Sequence, residues 1–97
     1  MTGVLAIAHY TIAAGNVEAV EALVIRLEVA SRAEPGCLGF DSYSKVGDEL
    51  RVVLVEKYES QESFDAHRAT PHFADLVLGQ LVPLLTERRV EQFPVEL

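Results

Sequence analysis

The side chains best suited to chemistry lie in one segment, residues 51–73, with the sequence RVVLVEKYESQESFDAHRATPHF. An apolar run in this segment ends in a carboxylate and a phenol, Glu56 and Tyr58, and two imidazoles follow at His67 and His72. Imidazole gains and loses a proton most easily near neutral pH, and a neighbouring carboxylate can share or direct that proton. The pattern predicts one wall of a small-molecule site, although ordinary structure would fit these residues as well.

Glu56 has two interpretations that the sequence leaves open. It shares the parity of Leu54 and Tyr58 on an otherwise apolar strand face, where a carboxylate is costly unless it is paired. The structural interpretation is an ion pair with an arginine such as Arg51 or Arg68. The functional interpretation is a carboxylate with a raised pKa, or one that orients a histidine.

The remaining candidates also have competing explanations. His67 stands one helical turn from Phe64, where a histidine can act as a base or simply pack through a hydrogen bond. His72 suits a local hydrogen bond near the start of the next helix, and His9 on the first strand ranks below His67. Tyr43 could bond a substrate oxygen, although buried tyrosines commonly bond a protein group. The residues interpreted as substrate-binding are Tyr43, His9, His72 and Phe64.

Composition excludes several classes of function. The formal net charge of −7, from 8 basic and 15 acidic residues, argues against binding to nucleic acid or to anionic membranes. No apolar run approaches the roughly 20 residues of a membrane span, and the start MTGVLAIAHYT lacks the basic segment of a signal peptide, so a cytoplasmic location is expected. Cys37 is the only cysteine, and the three histidines lack a spacing such as H-x-x-x-H. No disulfide and no metal site are therefore predicted.

The elements that must position the candidate residues follow a clear order. The pattern predicts four strands, at residues 4–12, 37–45, 52–58 and 90–95. It also predicts a first helix at 17–33, a short helix after the cap residue Ser60, and a third helix after Thr70 with an apolar stripe from Phe73 to Leu85. Pro83 should kink the third helix or start a new last turn. A hairpin turn at 46–49 joins the second and third strands. This order predicts one domain, residues 1–97, with a ferredoxin-like α+β fold and an antiparallel sheet.

The first and third strands are apolar on both parities, which the predicted fold does not explain by itself. Two helices can cover only one face of a four-stranded sheet, and a one-sided sheet should alternate apolar and polar residues. The uncovered face would expose more apolar area than a monomer usually does. We therefore expect a second copy to cover it, by sheet-on-sheet packing in a two-fold homodimer.

Three segments carry a family resemblance. They are SRAEPGCLGFDSY at residues 31–43, LVEKYES at 54–60 and FDAHRATPHF at 64–73. In this order and spacing the chain resembles the antibiotic biosynthesis monooxygenase domain, a dimeric α+β barrel of about this length. The haem-degrading branch of that family uses an asparagine, a tryptophan and a helical histidine where this chain has Ala8 or His9, Tyr58 and Val77. The resemblance therefore does not favour haem degradation.

The resemblance implies a cofactor-independent monooxygenase that oxidises a quinol or a polycyclic aromatic molecule with dioxygen. It implies His67 as base, Glu56 as orienting or proton-accepting group, and Tyr58 and Tyr43 as hydrogen-bonding groups. The expected partners are a small aromatic substrate, dioxygen and a second copy of the chain. Two alternatives remain: a non-catalytic dimeric binder of hydrophobic small molecules, and an isomerase of a small carbonyl compound that uses Glu56 with His67.

Overall fold

The computed structural model describes residues 1–97 and contains one four-stranded antiparallel sheet with the strand order β2-β3-β1-β4. The strands are β1 (Thr2–Ile12), β2 (Cys37–Lys45), β3 (Asp48–Tyr58) and β4 (Leu85–Glu96), and the α-helices are α1 (Val17–Arg32) and α2 (Gln61–Arg68). A π-helix (Phe73–Leu81) and a 3-10 turn (Val82–Leu84) precede β4. The fold is the predicted ferredoxin-like α+β arrangement.

The turn between β2 and β3 is tighter than the sequence indicated. Lys45 pairs with Asp48, so only Val46 and Gly47 form the loop. Gly47 has a φ of 85°, in the left-handed region that glycine adopts without steric cost. The third strand therefore begins at Asp48, before the apolar run from which it was predicted.

The third helix and the last strand differ most from prediction. The apolar stripe was expected to remain helical through Leu85, but the π-helix ends at Leu81 and a 3-10 turn containing Pro83 closes it. Leu85 already pairs with Ile12 and begins β4, five residues earlier than the predicted start at Val90. The reason is that β4 is an exposed edge strand with few apolar residues, so pairing with β1 rather than hydrophobic pattern defines its start.

The two faces of the sheet have different surroundings. The cross-strand register places Ala6 opposite Glu56 and Ala8 opposite Leu54, on the face that the helices cover. Residues of the other parity form the open face. Its apolar members include Leu5, Ile7, Val53, Val55 and Phe93, of which Phe93 is 44% exposed and the others half-buried.

The helices cover the first of these faces with a continuous core. The stripe of α1 consists of Val20, Leu23, Val24 and Leu27, as the spacing predicted. These residues pack with Phe40 of β2, Leu54 of β3 and Leu81 of the π-helix. No helix in this structure is both long and apolar enough to cross a membrane.

Candidate active site

A cavity of about 370 Å³ lies between the covered face of the sheet and the helices. Its lining residues are Ala8, Tyr10, Leu27, Phe40, Glu56, Phe64, His67, Arg68, Phe73, Val77, Leu78, Arg88, Val90 and Gln92. Aromatic and aliphatic side chains predominate, with a few titratable groups among them. Small-molecule sites commonly have this composition.

Strand β3 supplies the carboxylate of the cavity because of its alternation. Leu54, Glu56 and Tyr58 all point to the covered face, and each is buried. The Tyr58 hydroxyl donates a hydrogen bond of 2.9 Å to Glu56 Oε1. Tyr58 therefore does not line the cavity itself; it fixes the Glu56 carboxylate that does.

Helix α2 supplies the imidazole. The Ser60 hydroxyl caps its first turn by accepting from the Ser63 backbone N–H at 3.1 Å, as the sequence predicted. One turn separates Phe64 from His67, and both side chains face the sheet and are buried. The Tyr58 and Phe73 rings lie with their centroids 5.2 and 5.4 Å from that of His67. His67 thus sits in an aromatic cage at the wall of the cavity.

Glu34 completes the arrangement, and sequence reasoning missed it. It follows α1 and precedes a proline-glycine turn that passes against α2, where a Cβ on Gly36 would lie 2.0 Å from Ser63 Oγ. This close approach places the Glu34 carboxylate 2.9 Å from His67 Nδ1 and 2.5 Å from His72 Nε2. The available signal was a carboxylate beside the proline-glycine turn, within a segment that carried the family resemblance.

These contacts determine how His67 is protonated. An ionised carboxylate can only accept hydrogen bonds, so His67 donates to Glu34 from Nδ1. In the neutral ring, Nε2 then carries the free lone pair, and this nitrogen lies 3.6 Å from Glu56 Oε1. The arrangement presents a potential base and a carboxyl group side by side.

Burial shifts both groups toward their neutral forms. It raises the pKa of Glu56 to about 7, although the Tyr58 hydrogen bond and the charge of Arg88 act in the opposite direction. Burial also lowers the pKa of His67, against the hydrogen bond and charge of Glu34, which favour the imidazolium. The pKa of Tyr58 is raised by burial and by the nearby Glu56, so its proton stays on the hydroxyl. Glu56 can therefore exchange its proton near neutral pH, and burial favours the neutral form of His67, which can accept one.

Tyr10 and Arg88 are further cavity residues that the sequence did not single out. They pair across β1 and β4, on the covered face. Burial raises the pKa of Tyr10, while the charge of Arg88 partly offsets that rise. The Arg88 guanidinium carbon lies 5.9 Å from the centre of the Phe73 ring. This side of the cavity therefore offers a positive charge opposite Glu56.

The predicted arginine partners of Glu56 are engaged elsewhere. Arg51 lies 3.6 Å from Asp48, and Arg68 lies 3.1 Å from Asp65. The Arg68 guanidinium also stacks 4.6 Å from the centre of the Phe64 ring. The simple ion-pair interpretation of Glu56 is therefore wrong, because its partners are Tyr58 and His67.

Three of the four predicted substrate-binding residues do not line this cavity. His9 and Tyr43 have the opposite strand parity and lie on the open face, where His9 Nε2 is 2.6 Å from Glu91 Oε1. Tyr43 is 59% exposed. His72 bonds Glu34 and does not line the cavity, whereas Phe64 does. The single-chain cavity thus keeps His67, Glu56 and Phe64 from the predicted set, with Tyr58 behind them.

One group of residues could hold a metal ion. The potential ligand atoms of Glu34, His67 and His72 all lie within 4.8 Å of one another. The histidine spacing along the chain did not indicate such a site, because the third ligand comes from the turn after α1. A search limited to local spacing does not find this kind of cluster.

Comparison with known proteins establishes the family. Residues 3–77 match the family model described as antibiotic biosynthesis monooxygenase. The chain belongs to this family. The match includes Glu34, Glu56, His67 and His72, whereas the cavity residues Leu78, Arg88, Val90 and Gln92 lie beyond it. Membership establishes the family and leaves the activity and the substrate of this chain open.

Individual relatives agree with this assignment. Putative monooxygenase Rv0793 of Mycobacterium tuberculosis is 37% identical over 68 residues, which are 70% of this chain and 65% of that protein. Putative monooxygenase YcnE of Bacillus subtilis is 38% identical over 47 residues, 48% of this chain and 50% of that protein. The matched part of this family member thus spans less than two thirds of either relative's length.

Two solved structures extend the similarity across nearly the whole chain. The crystal structure of PA3566 from Pseudomonas aeruginosa aligns with a TM-score of 0.89 at 29% identity, covering 100% of this chain and 97% of that one. The structure of Rv0793 aligns with a TM-score of 0.83 at 31% identity, covering 97% and 93%. The fold of this family member is therefore that of its structurally characterised relatives.

Proposed function

We propose that this protein is a cofactor-independent monooxygenase that oxidises a quinol or a polycyclic hydroxyaromatic molecule with dioxygen. The observation that carries the proposal is the mostly apolar cavity with His67 Nε2 and Glu56 Oε1 3.6 Å apart at its wall. A phenolic substrate needs one proton acceptor and a dry pocket to become electron-rich enough to react with dioxygen. The cavity offers both.

The chemistry begins with proton transfer from a ring hydroxyl to His67 Nε2, while Glu34 holds the imidazole from Nδ1. The resulting anion gives electrons to dioxygen, and a ring carbon gains one oxygen atom. The second oxygen atom leaves as water, so a quinol and one dioxygen give a hydroxyquinone and water with no external reductant. Glu56, with a pKa of about 7, can pass protons between the substrate and His67.

Other cavity residues have roles that follow from their chemistry. The Phe40, Phe64 and Phe73 rings offer surfaces for an aromatic substrate. Arg88 supplies positive charge for a ring oxygen that becomes anionic during the reaction. Tyr58 keeps the Glu56 carboxylate in place from behind. In this assignment Tyr58 is a positioning residue, and Tyr43 and His9 take no part within one chain.

The open face of the sheet supports a homodimer as the working form. Half-buried Leu5 and Ile7 of β1 and Val53 and Val55 of β3 lie on the same face as the more exposed Phe93 of the edge strand β4. A second copy packed on this face would remove that surface from water in a self-complementary way. We expect each chain to form a single domain and the dimer to act in the cytoplasm.

Oxygen consumption with a menadiol-type quinol tests the proposal. Wild-type protein should raise the rate above the uncatalysed reaction, and His67→Ala should remove most of the increase. His9→Ala is the matched control: it deletes an imidazole that does not line the cavity, and the rate should be unchanged in a variant whose mass by sedimentation equals that of wild type. Unaltered oxygen uptake in His67→Ala would show that the base is misassigned. Thermal stabilisation by quinols without any oxygen uptake would favour the non-catalytic binder.

The pairing of Glu56 with His67 also favours a second candidate, an isomerase of a small carbonyl compound. Such an enzyme moves a proton between neighbouring carbons with two acid-base groups, and these two lie 3.6 Å apart. The reaction consumes no dioxygen. Exchange of a substrate C–H for deuterium in heavy water, across a panel of small ketones and aldehydes, would reveal it when oxygen uptake is absent.

A further inference from the structure

A second set of contacts converges on Glu34, outside the lining of the cavity. Glu34 Oε2 lies 2.9 Å from His67 Nδ1 and 2.5 Å from His72 Nε2, so two imidazoles face the same carboxylate oxygen. The side chain of Glu34 is 12% exposed and that of His67 3%, against 26% for His72. The three groups therefore come together in a largely dry environment that remains open on the His72 side.

Two imidazole nitrogens and one carboxylate are a ligand set suited to zinc and other borderline divalent ions. Zinc bonds to such ligands are about 2.0–2.2 Å long, which separates tetrahedral ligand atoms by about 3.3 Å. The two distances from Glu34 Oε2 are shorter than this by less than about 1 Å, as hydrogen-bonded ligands without an ion should be. Small rotations of the partly exposed His72 would open the space that an ion needs.

The surroundings of His67 match what metal-bound histidines require. A ligating histidine usually donates its other ring N–H to a carboxylate, which fixes the ring orientation. His67 Nε2 faces Glu56 Oε1 at 3.6 Å, and Glu56 is itself held by the Tyr58 hydroxyl at 2.9 Å. The contact of 3.6 Å is slightly longer than a hydrogen bond, so a small rotation of the His67 ring on metal binding would complete this second layer.

A groove that is open to solvent reaches one member of the cluster, Glu34. A surface groove of about 300 Å³ is lined by Glu34 together with Glu59, Glu62, Ser63 and Thr70. Its carboxylates would attract a divalent cation toward Glu34. Ligand identity, spacing, second layer and access are the features by which a metal site can be checked. The ligand set is present here, and small side-chain movements would complete its spacing and its second layer.

We propose that Glu34, His67 and His72 bind one divalent transition-metal ion of the zinc class, through His67 Nδ1, His72 Nε2 and the Glu34 carboxylate. The ion displaces the proton on His67 Nδ1, so the ring must keep its remaining proton on Nε2. His67 can then no longer accept a proton from a substrate in the cavity. If the proposed oxygenase function holds, the metal-bound form is its inactive form.

Direct binding is the first test. Protein treated with EDTA and then freed of chelator should bind one zinc ion per chain in a calorimetric titration. His72→Gln should lose this saturable site, and Glu56→Gln should bind about 10–100-fold more weakly because the second layer is altered. His9→Gln is the matched control and should bind like wild type. Absence of a one-to-one site, or equal binding by His72→Gln, would overturn the proposal.

A second measurement needs no variant and does not depend on activity. In a nitrogen-15 NMR titration of the wild-type protein, zinc should shift the ring nitrogens of His67 and His72 and leave those of His9 unchanged. Shifts confined to His9 would place the ion on the open face and contradict the site. Zinc should also suppress quinol oxidation in step with occupancy. If the zinc-free protein does not oxidise quinols, the oxygenase function is wrong. The calorimetric and NMR titrations would still decide whether the metal site exists.

Discussion

His67 donates from Nδ1 to Glu34 Oε2 across 2.9 Å, and this bond joins helix α2 to the turn that follows α1. It fixes the ring so that Nε2 faces Glu56. The proton-accepting capacity of His67 thus depends on a carboxylate 33 positions away in the chain. The predictions below follow from this relationship and from the placement of its neighbours.

Glu34→Gln should lower quinol oxidation by about 10–100-fold, a part of the roughly 10²–10⁴-fold that a positioned base contributes. The amide is neutral and can turn its NH₂ toward His67, so the ring loses both its orientation and its charge partner. Steady-state oxygen uptake measures the effect, expected in kcat more than in KM. Glu59→Gln removes an exposed carboxylate from the surface groove that Glu34 also lines, and it should leave oxygen uptake unchanged. If Glu59→Gln lost as much oxygen uptake as Glu34→Gln, the negative charge of the groove, rather than the hydrogen bond between Glu34 and His67, would explain the loss.

Glu56 should make the protein less stable as pH rises through the range from about 4.5 to about 7. Its pKa is near 4.5 in the unfolded chain and about 7 in the folded one, so the folded state binds more protons in that window. The free energy of unfolding of wild type, relative to Glu56→Gln, should therefore fall by up to about 3 kcal/mol and then level off. Urea titrations at several pH values with EDTA present would measure this difference. A constant difference would mean that the Glu56 pKa is not raised.

Tyr58→Phe should remove the hydroxyl that donates to Glu56 and leave the rest of the ring in place. Loss of one hydrogen-bond donor to the buried Glu56 carboxyl should cost about 1–3 kcal/mol in stability, and the pKa of Glu56 should rise further. The alkaline shift should appear in the pH profile of oxygen uptake. Tyr43→Phe deletes a phenol on the open face and serves as the control. Identical pH profiles for wild type and Tyr58→Phe would show that Tyr58 does not position the reacting carboxyl.

Arg88→Gln should lower kcat/KM for substrates whose ring oxygen becomes anionic during the reaction. A hydrogen bond to a charged group contributes about 1.5–3 kcal/mol, so kcat/KM should fall by about 10–150-fold. Arg89→Gln provides the comparison, because Arg89 has the other parity and pairs with Glu91 at 3.2 Å on the open face. A larger effect at Arg89 would place the substrate outside the cavity described here.

Phe93→Glu should dissociate the proposed dimer, since it places a charge at an exposed apolar side chain of the open face, on the edge strand β4. Sedimentation should give the mass of one chain, 10.7 kDa, for the variant and twice that for wild type. Val29→Glu, at a position 66% exposed on α1, should not change the mass. A wild-type mass of one chain at micromolar concentration would remove the second copy from the functional proposal.

Local pattern alone determined much of this arrangement. Strand alternation placed Glu56 and Tyr58 on one face with Leu54, and helical spacing placed Phe64 and His67 on one side of α2. Both results rest on the fixed directions that side chains take within a single regular element. The ferredoxin-like order of elements and the family resemblance followed from the same short segments.

Only the tertiary structure decided which elements meet. Alternation showed that His9 and Glu56 belong to strands, but not that the helices would cover the face of Glu56 and leave His9 on the other. Likewise nothing near His67 in the sequence indicates Glu34, which arrives through the close packing of Gly36 against Ser63. Contacts between distant segments depend on how whole surfaces pack, and that information is spread along the chain rather than held in any one motif.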